Sequence, residues 1–213
     1  MRIKLKQNSR KVKQTFFMII ITMMSCQSSS PILTKYYNQN EIKSINELVN
    51  FFKDQMCEGH CSQELLHKKL NAILDSLNSG GNFVIEMNKE LLNEKLTNSY
   101  ETLKVSTFSN KCYALDFKNE LREPHFCLKS DSTYMRFLEE LGKKNKGVEK
   151  YRIPFEAFGT ITPPAVGHII KNSNKHKYSE EIITVIAFHF FHLNSEIAAQ
   201  KILEVKKLEL ERK

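Results

Sequence analysis

Ile182-Ile183-Thr184-Val185-Ile186-Ala187-Phe188-His189-Phe190-Phe191-His192-Leu193 is the stretch on which the fold turns. Apolar side chains occupy nearly every side of it, interrupted only by Thr184, His189 and His192. A helix apolar all round has no face to offer water, so this segment is expected at the centre of a core, enclosed by other helices. Its length falls well short of the roughly 20 residues needed to cross a bilayer. Ser179 stands where an N-cap belongs. Beyond it, Glu196 to Lys213 alternates in charge and carries Ala198, Ile202, Val205 and Leu208 on a narrow stripe, the pattern of an amphipathic helix.

The enclosing elements are read upstream. Ile42, Ile45, Leu48, Val49, Phe52 and Met56 fall on one helical face, with Ser44 and Glu47 spaced as a capping box and Gly59 as the stop. Ser62 caps a second helix, in which Leu66, Leu70, Ile73 and Leu77 recur at three- and four-residue steps until Gly80-Gly81; the two make an αα-hairpin. The period then changes. Phe83, Ile85 and Met87 alternate with Asn82, Val84, Glu86 and Asn88 as a half-buried strand does, Val84 blurring the pattern, and Lys89 to Leu96 suits a short helix. Thr102 to Phe108, Lys111 to Phe117 and His125 to Lys129 read as short strands around Arg122-Glu123-Pro124, so a small antiparallel sheet is expected. Asp131 is placed to cap a helix bearing Tyr134, Phe137, Leu138 and Leu141, and Thr162 before Pro163 marks another helix start. The expected fold class is α+β: a mainly helical single domain over residues 41–213 with a small antiparallel β-sheet or hairpin.

The N-terminal segment has a different character. Arg2, Lys4, Lys6, Arg10, Lys11 and Lys13 precede the apolar run Phe16 to Met24, which ends at Ser25-Cys26 and a polar Gln27-Ser28-Ser29-Ser30. That is the layout of an export signal. Met23-Met24-Ser25-Cys26 resembles the lipobox of bacterial lipoproteins, with methionines where that family usually has leucine and a small residue. The resemblance implies a signal peptide over residues 1–25 and cleavage before a lipid-modified Cys26. It also implies anchoring of the mature chain to a bilayer in the cell envelope. Gln27, in place of the aspartate that retains some of these proteins at the inner membrane, favours the outer membrane. Residues 26–40 are expected to serve as a polar tether. Most of the formal charge of +8 also belongs to this segment: the six basic residues before Cys26 face no acid, and the remainder holds 26 basic against 24 acidic residues. A nearly balanced chain lacks the basic footprint of a nucleic-acid binder.

Cys57, Cys61, Cys112 and Cys127 remain, an even number that outside the cytoplasm points to disulfides. Three pairings are open. The element reading favours Cys57 with Cys61 across the first interhelix turn and Cys112 with Cys127 between facing strands. The competing readings are a zinc site, built from Cys57, His60 and Cys61 with Cys112, His125 or Cys127, and a redox dithiol; both usually require two residues between paired cysteines, and here there are three. His189 and His192, one helical turn apart, could meet His168 as a metal or catalytic cluster, with Glu181 as an acid nearby. No HExxH, P-loop, G-x-S-x-G, G-x-G-x-x-G or EF-hand pattern occurs, and seven glycines leave little material for phosphate or oxyanion cradles. The expectation is a non-catalytic, cofactor-free protein-interaction domain held to the envelope by lipid. An immunity lipoprotein, an assembly factor and an adhesin remain undivided within that class. The alternative is a small envelope hydrolase or metal-binding protein using the histidines.

Overall fold

The computed structural model describes residues 30–80, 85, 87–159, 161–173 and 178–212. Cys26, the apolar run before it, and Phe83 and Val84 of the expected strand lie outside them; Ile85 and Met87 are buried but belong to no strand. The described chain is mainly helical, with a two-stranded antiparallel sheet. In order its elements are α1 (Pro31–Tyr36), α2 (Gln39–Cys57), α3 (Gln63–Asn78), α4 (Lys89–Leu103), β1 (Phe108–Asp116), β2 (Leu121–Leu128), α5 (Thr133–Gly142), α6 (Lys146–Phe158), α7 (Ala165–Asn172) and α8 (Glu180–Glu211).

The first half of α8 is the centre of the molecule. Every residue from Ile182 to Leu193 is buried, Thr184, His189 and His192 included. Aromatic rings reach it from all sides. Phe52 and Phe51 of α2 stack on Phe190 and Phe191, each at 6.0 Å, and Phe108 of β1 meets Phe188 at 5.0 Å. Tyr134 of α5 packs on Phe188 at 5.6 Å, and Tyr151 of α6 packs edge-on against His189 at 5.7 Å. With four elements around it the helix has no solvent side, which accounts for its lack of amphipathic period. Among the described residues α8 alone is long and apolar enough to cross a membrane, yet 78% of its most apolar stretch is buried within this fold.

Several boundaries differ from the sequence reading, each for a local reason. The tether expected through Asn40 gives way to structure at Ser30. The Ser30 hydroxyl accepts from the Leu33 N–H to cap α1, Pro31 begins the helix without losing a needed donor, and Ile32, Leu33 and Tyr37 enter the core. Helix α2 starts earlier than Ser44, because Asn38 and Glu41 form the capping box: the Asn38 carboxamide oxygen accepts from Asn40 and Glu41 N–H, and Glu41 accepts from the Asn38 N–H. Helix α4 runs on to Leu103, so the strand expected over Thr102 to Phe108 does not form; β1, from Phe108, takes in the one expected from Lys111, and β2 starts at Leu121, with Arg122-Glu123-Pro124 inside it. Ser132, not Asp131, occupies the N-cap of α5, and α7 begins at Ala165 after Pro164 rather than at Thr162-Pro163. Helix α6 had no counterpart in the reading, since Pro154 interrupts its interior. Asn145 caps α6 by accepting from Gly147 and Val148 N–H, and Gly159, at φ 66°, ends it. At Gly147 the backbone of α7 comes so close that a Cβ would lie 2.9 Å from the Ile169 Cα, so α6 and α7 can pack this tightly only over a glycine. The two C-terminal patterns are one continuous helix, because Asn194-Ser195 contains neither glycine nor proline to break it.

Candidate functional site: a groove on the outer half of the long helix

Past Leu193, α8 changes from a core helix to a surface one. Only Ala199 and Leu203 remain buried, against Ala114 of β1 and, beside them, Leu121 of β2. The other apolar side chains here are open: Ile202, Val205 and Leu208 are 45%, 56% and 52% exposed. Ile202 and Val205, with Ala198 and Ala199, floor a groove of about 950 Å³. Leu92 and Leu96 of α4, with Lys89, Glu90 and Asn93, form one wall, Pro124, His125 and Phe126 of β2 the other, and Lys201 and Glu209 of α8 add charges of both signs at the rim. At the β1–β2 tip Phe117 is 85% exposed, in a turn that Asp116 holds by accepting from the Lys118 and Asn119 N–H groups. Apolar floor and mixed-charge rim are the make-up of a protein-docking surface.

The hairpin wall is fastened to α8 by two side chains that the sequence reading assigned otherwise or passed over. A two-stranded sheet leaves each strand with an unpaired edge, and buried N–H groups on such an edge need acceptors. On β2 the Phe126 N–H donates to Ser195 Oγ at 2.9 Å and the Leu128 N–H donates to His192 Nδ1 at 3.1 Å. His192 and Ser195 are three residues apart, and Phe126 and Leu128 two, so one turn of helix matches one pleat of strand. This requires neutral His192 with its proton on Nε2, which faces Glu196 at 3.9 Å. Burial, with His125 at 6.0 Å, pushes the His192 pKa down to about 4. Lower on the rim, Lys206 bridges Glu123 at 2.6 Å and ties the same strand to the outer half of α8.

The histidines are therefore not gathered as a cluster. His168 on α7 is exposed, whereas His189 is fully buried with only the Pro163 backbone carbonyl acting on its ring, and burial pushes its pKa down to about 3. Among the described residues no three His, Cys, Asp or Glu side chains lie close enough to hold a metal ion. Residues three apart on a helix project about 60° apart, which sends His189 towards Tyr151 of α6 and His192 towards the β2 edge. Glu181, the acid considered beside them, instead accepts a hydrogen bond from the Ser30 hydroxyl.

Both favoured cysteine pairs lie at bonding distance. Cys57 ends α2 and meets Cys61 with a Cα separation of 5.2 Å, around a turn in which Glu58 and Gly59 have φ of 56° and 125°. Cys112 meets Cys127 diagonally across the irregularity between Ser109 and Cys112, with Cα atoms 6.1 Å apart, so the bond holds β1 to β2 where their ladder is interrupted. The sulfurs of the alternative zinc and redox sites are thus paired with each other. No family model matches this chain, and neither the curated proteins nor the solved structures contain a significant match to it.

Proposed function

We propose that the chain is a lipid-anchored protein of the bacterial cell envelope, on the outer membrane, that acts by docking another polypeptide along the outer half of α8. The observation that carries the docking reading is the groove: Ile202 and Val205 left uncovered on its floor, between α4 and β2. Placement at a membrane rests on the lipobox-like Met23 to Cys26 after its basic and apolar regions. Two cysteine pairs at bonding distance fit an oxidising compartment. The geometry also suits an anchored docking protein. Ser30, four residues after Cys26, is fixed to Glu181 in the first turn of α8, while Val205 lies about 36 Å further along that helix. An anchor at one end leaves the groove clear of the bilayer at the other.

A photo-crosslinking residue placed at Val205 in the full chain, in cells that make it, tests the docking reading. The expected result is an adduct of one discrete mass that does not form from the exposed Glu64 on α3 and disappears when Ile202→Asp is added. Equal labelling from both positions, or none from Val205, overturns it.

A further inference from the structure

The two outer edges of the hairpin differ. On β2 the Phe126 and Leu128 N–H groups point away from β1, to Ser195 and His192, while the Lys129 N–H points back to the Thr107 carbonyl at 2.9 Å. The extra residue at the irregularity lies on β1, so this alternation runs unbroken down β2. Leu121, Glu123 and His125 therefore exchange bonds with their partners Asp116, Ala114 and Cys112. Pro124, which has no N–H, falls on the outward phase, the one a proline can occupy. The phase of β1 follows. Tyr113 and Leu115, between those bonded residues, turn their N–H and C=O groups outward, and no described residue hydrogen-bonds to either. Ala114 packs on Ala199 and Leu203 of α8, so the side chains of Tyr113 and Leu115 stand on the other face, 45% and 52% exposed. The fold thus satisfies the edge of β2 with two side chains and leaves that of β1 bare.

We propose that this edge is a second docking site, at which an extended, acid-bearing strand of another polypeptide adds to β1 and widens the sheet to three strands. It does not depend on the groove. Outward donors and acceptors recurring about 7 Å apart are matched by an extended backbone, whereas a helix has its own groups already paired. Proteins commonly blunt a bare edge with charge or proline; here the bare residues are a tyrosine and a leucine, whose side chains a strand laid beside them would cover. The charges around the edge set the partner's sign. Lys111, Lys118 and Arg122, the last 5.5 Å from the Tyr113 ring, are exposed and enter no ion pair among the described residues. The Asp116 carboxylate is taken up by the turn and Glu123 by Lys206, so of the hairpin's described acids only Glu120 stands free. The same charges argue against a second copy. Pairing β1 with β1 would bring two basic sets together, which an acidic strand avoids.

The test is a photo-crosslinking residue in place of Phe117 in the full chain, in cells that make it, combined with substitutions along β1. An adduct of one discrete mass is expected. Leu115→Pro removes an outward N–H without touching the ladder to β2, so circular dichroism and melting temperature should match the wild type while the adduct falls about tenfold. Tyr113→Pro, also on the outward phase, repeats the block at an independent position. Leu115→Thr keeps the N–H and should keep the adduct, whereas Lys111→Glu with Arg122→Glu should lower it. Ala114→Pro, on the bonded phase, should instead lower the melting temperature. A fall in melting temperature with both outward prolines overturns the assigned phase. No adduct, an adduct indifferent to both prolines, or one lost as fully with threonine as with proline overturns strand addition, and an adduct of twice the chain mass overturns the choice of a foreign strand. Ile202→Asp is expected to leave this adduct unchanged, so the two docking readings stand or fall separately; its loss there would make the surfaces one and overturn a second site.

Discussion

Acidification from pH 7 to pH 4 is expected to remove on the order of 5 kcal/mol from the stability of the fold, most of it through two histidines of α8. Unfolded, both titrate near 6.5; folded, burial holds His189 down to about 3 and His192 to about 4. A base whose folded pKa is depressed takes up its proton more readily in the unfolded chain, so acid favours unfolding. The stability is complete above pH 6.5 and is lost at about 1.4 kcal/mol per pH unit for each histidine as pH falls towards the folded values. Protonation also has a specific structural cost at His192, because an imidazolium has no lone pair at Nδ1 to accept the Leu128 N–H. The hairpin should loosen from α8 first. Glu149 and Glu140, held below the usual carboxylate range by Arg152 and by Lys143 and Lys35, change charge below pH 4.5, so the interval from 6.5 to 5 isolates the histidines. Urea unfolding at half-unit pH steps checks this. His189→Phe should reduce the slope in that interval by about 1.4 kcal/mol per pH unit, and a slope unchanged in the variant would contradict the assignment.

Replacing Cys112 and Cys127 together by alanine is expected to cost about 3 kcal/mol, the loop entropy for a separation of 15 residues, and to lower the melting temperature by about 10 °C. The same change at Cys57 and Cys61, four residues apart, should cost about 2 kcal/mol. The larger effect belongs to the hairpin. β1 and β2 have only each other as strand partners, and the interruption between Ser109 and Cys112 removes ladder bonds where the bridge crosses. Without the bridge, one groove wall depends on His192, Ser195 and Lys206. Thermal melts of both double variants, with and without reductant, measure the difference. Reductant should destabilise the wild type and leave a chain lacking all four of these cysteines unchanged.

The centre of the fold was legible in the sequence because Ile182 to Leu193 has no polar side, and a helix with no polar side has one solution in water: enclosure. The helices α2 and α3 were legible from their apolar spacing. Their exact starts were less so, since Ser44 and Asn38 are both competent caps and only packing of Tyr37 and Ile42 selects Asn38. Helix α6 was hidden by Pro154, whose cost is offset by burial of Val148, Tyr151 and Phe155 that no local pattern reveals. The groove was half legible. The stripe of Ala198, Ile202, Val205 and Leu208 was visible, but its walls come from residues about a hundred and about seventy positions away. The histidine pair shows the limit of spacing arguments. A separation of three residues places two side chains on neighbouring faces, and whether those faces meet one site or two depends on what packs there. Here one met the core and the other a strand edge.

The claim that the chain works at a membrane is tested most directly by the mass of its N-terminal peptide, taken from protein extracted out of the envelope of cells that make it. The account predicts a peptide beginning at Cys26 and heavier than its sequence by a diacylglyceryl group. A chain recovered from the cell interior with Met1 to Ser25 still attached, or an envelope protein whose Cys26 carries no lipid, would contradict it.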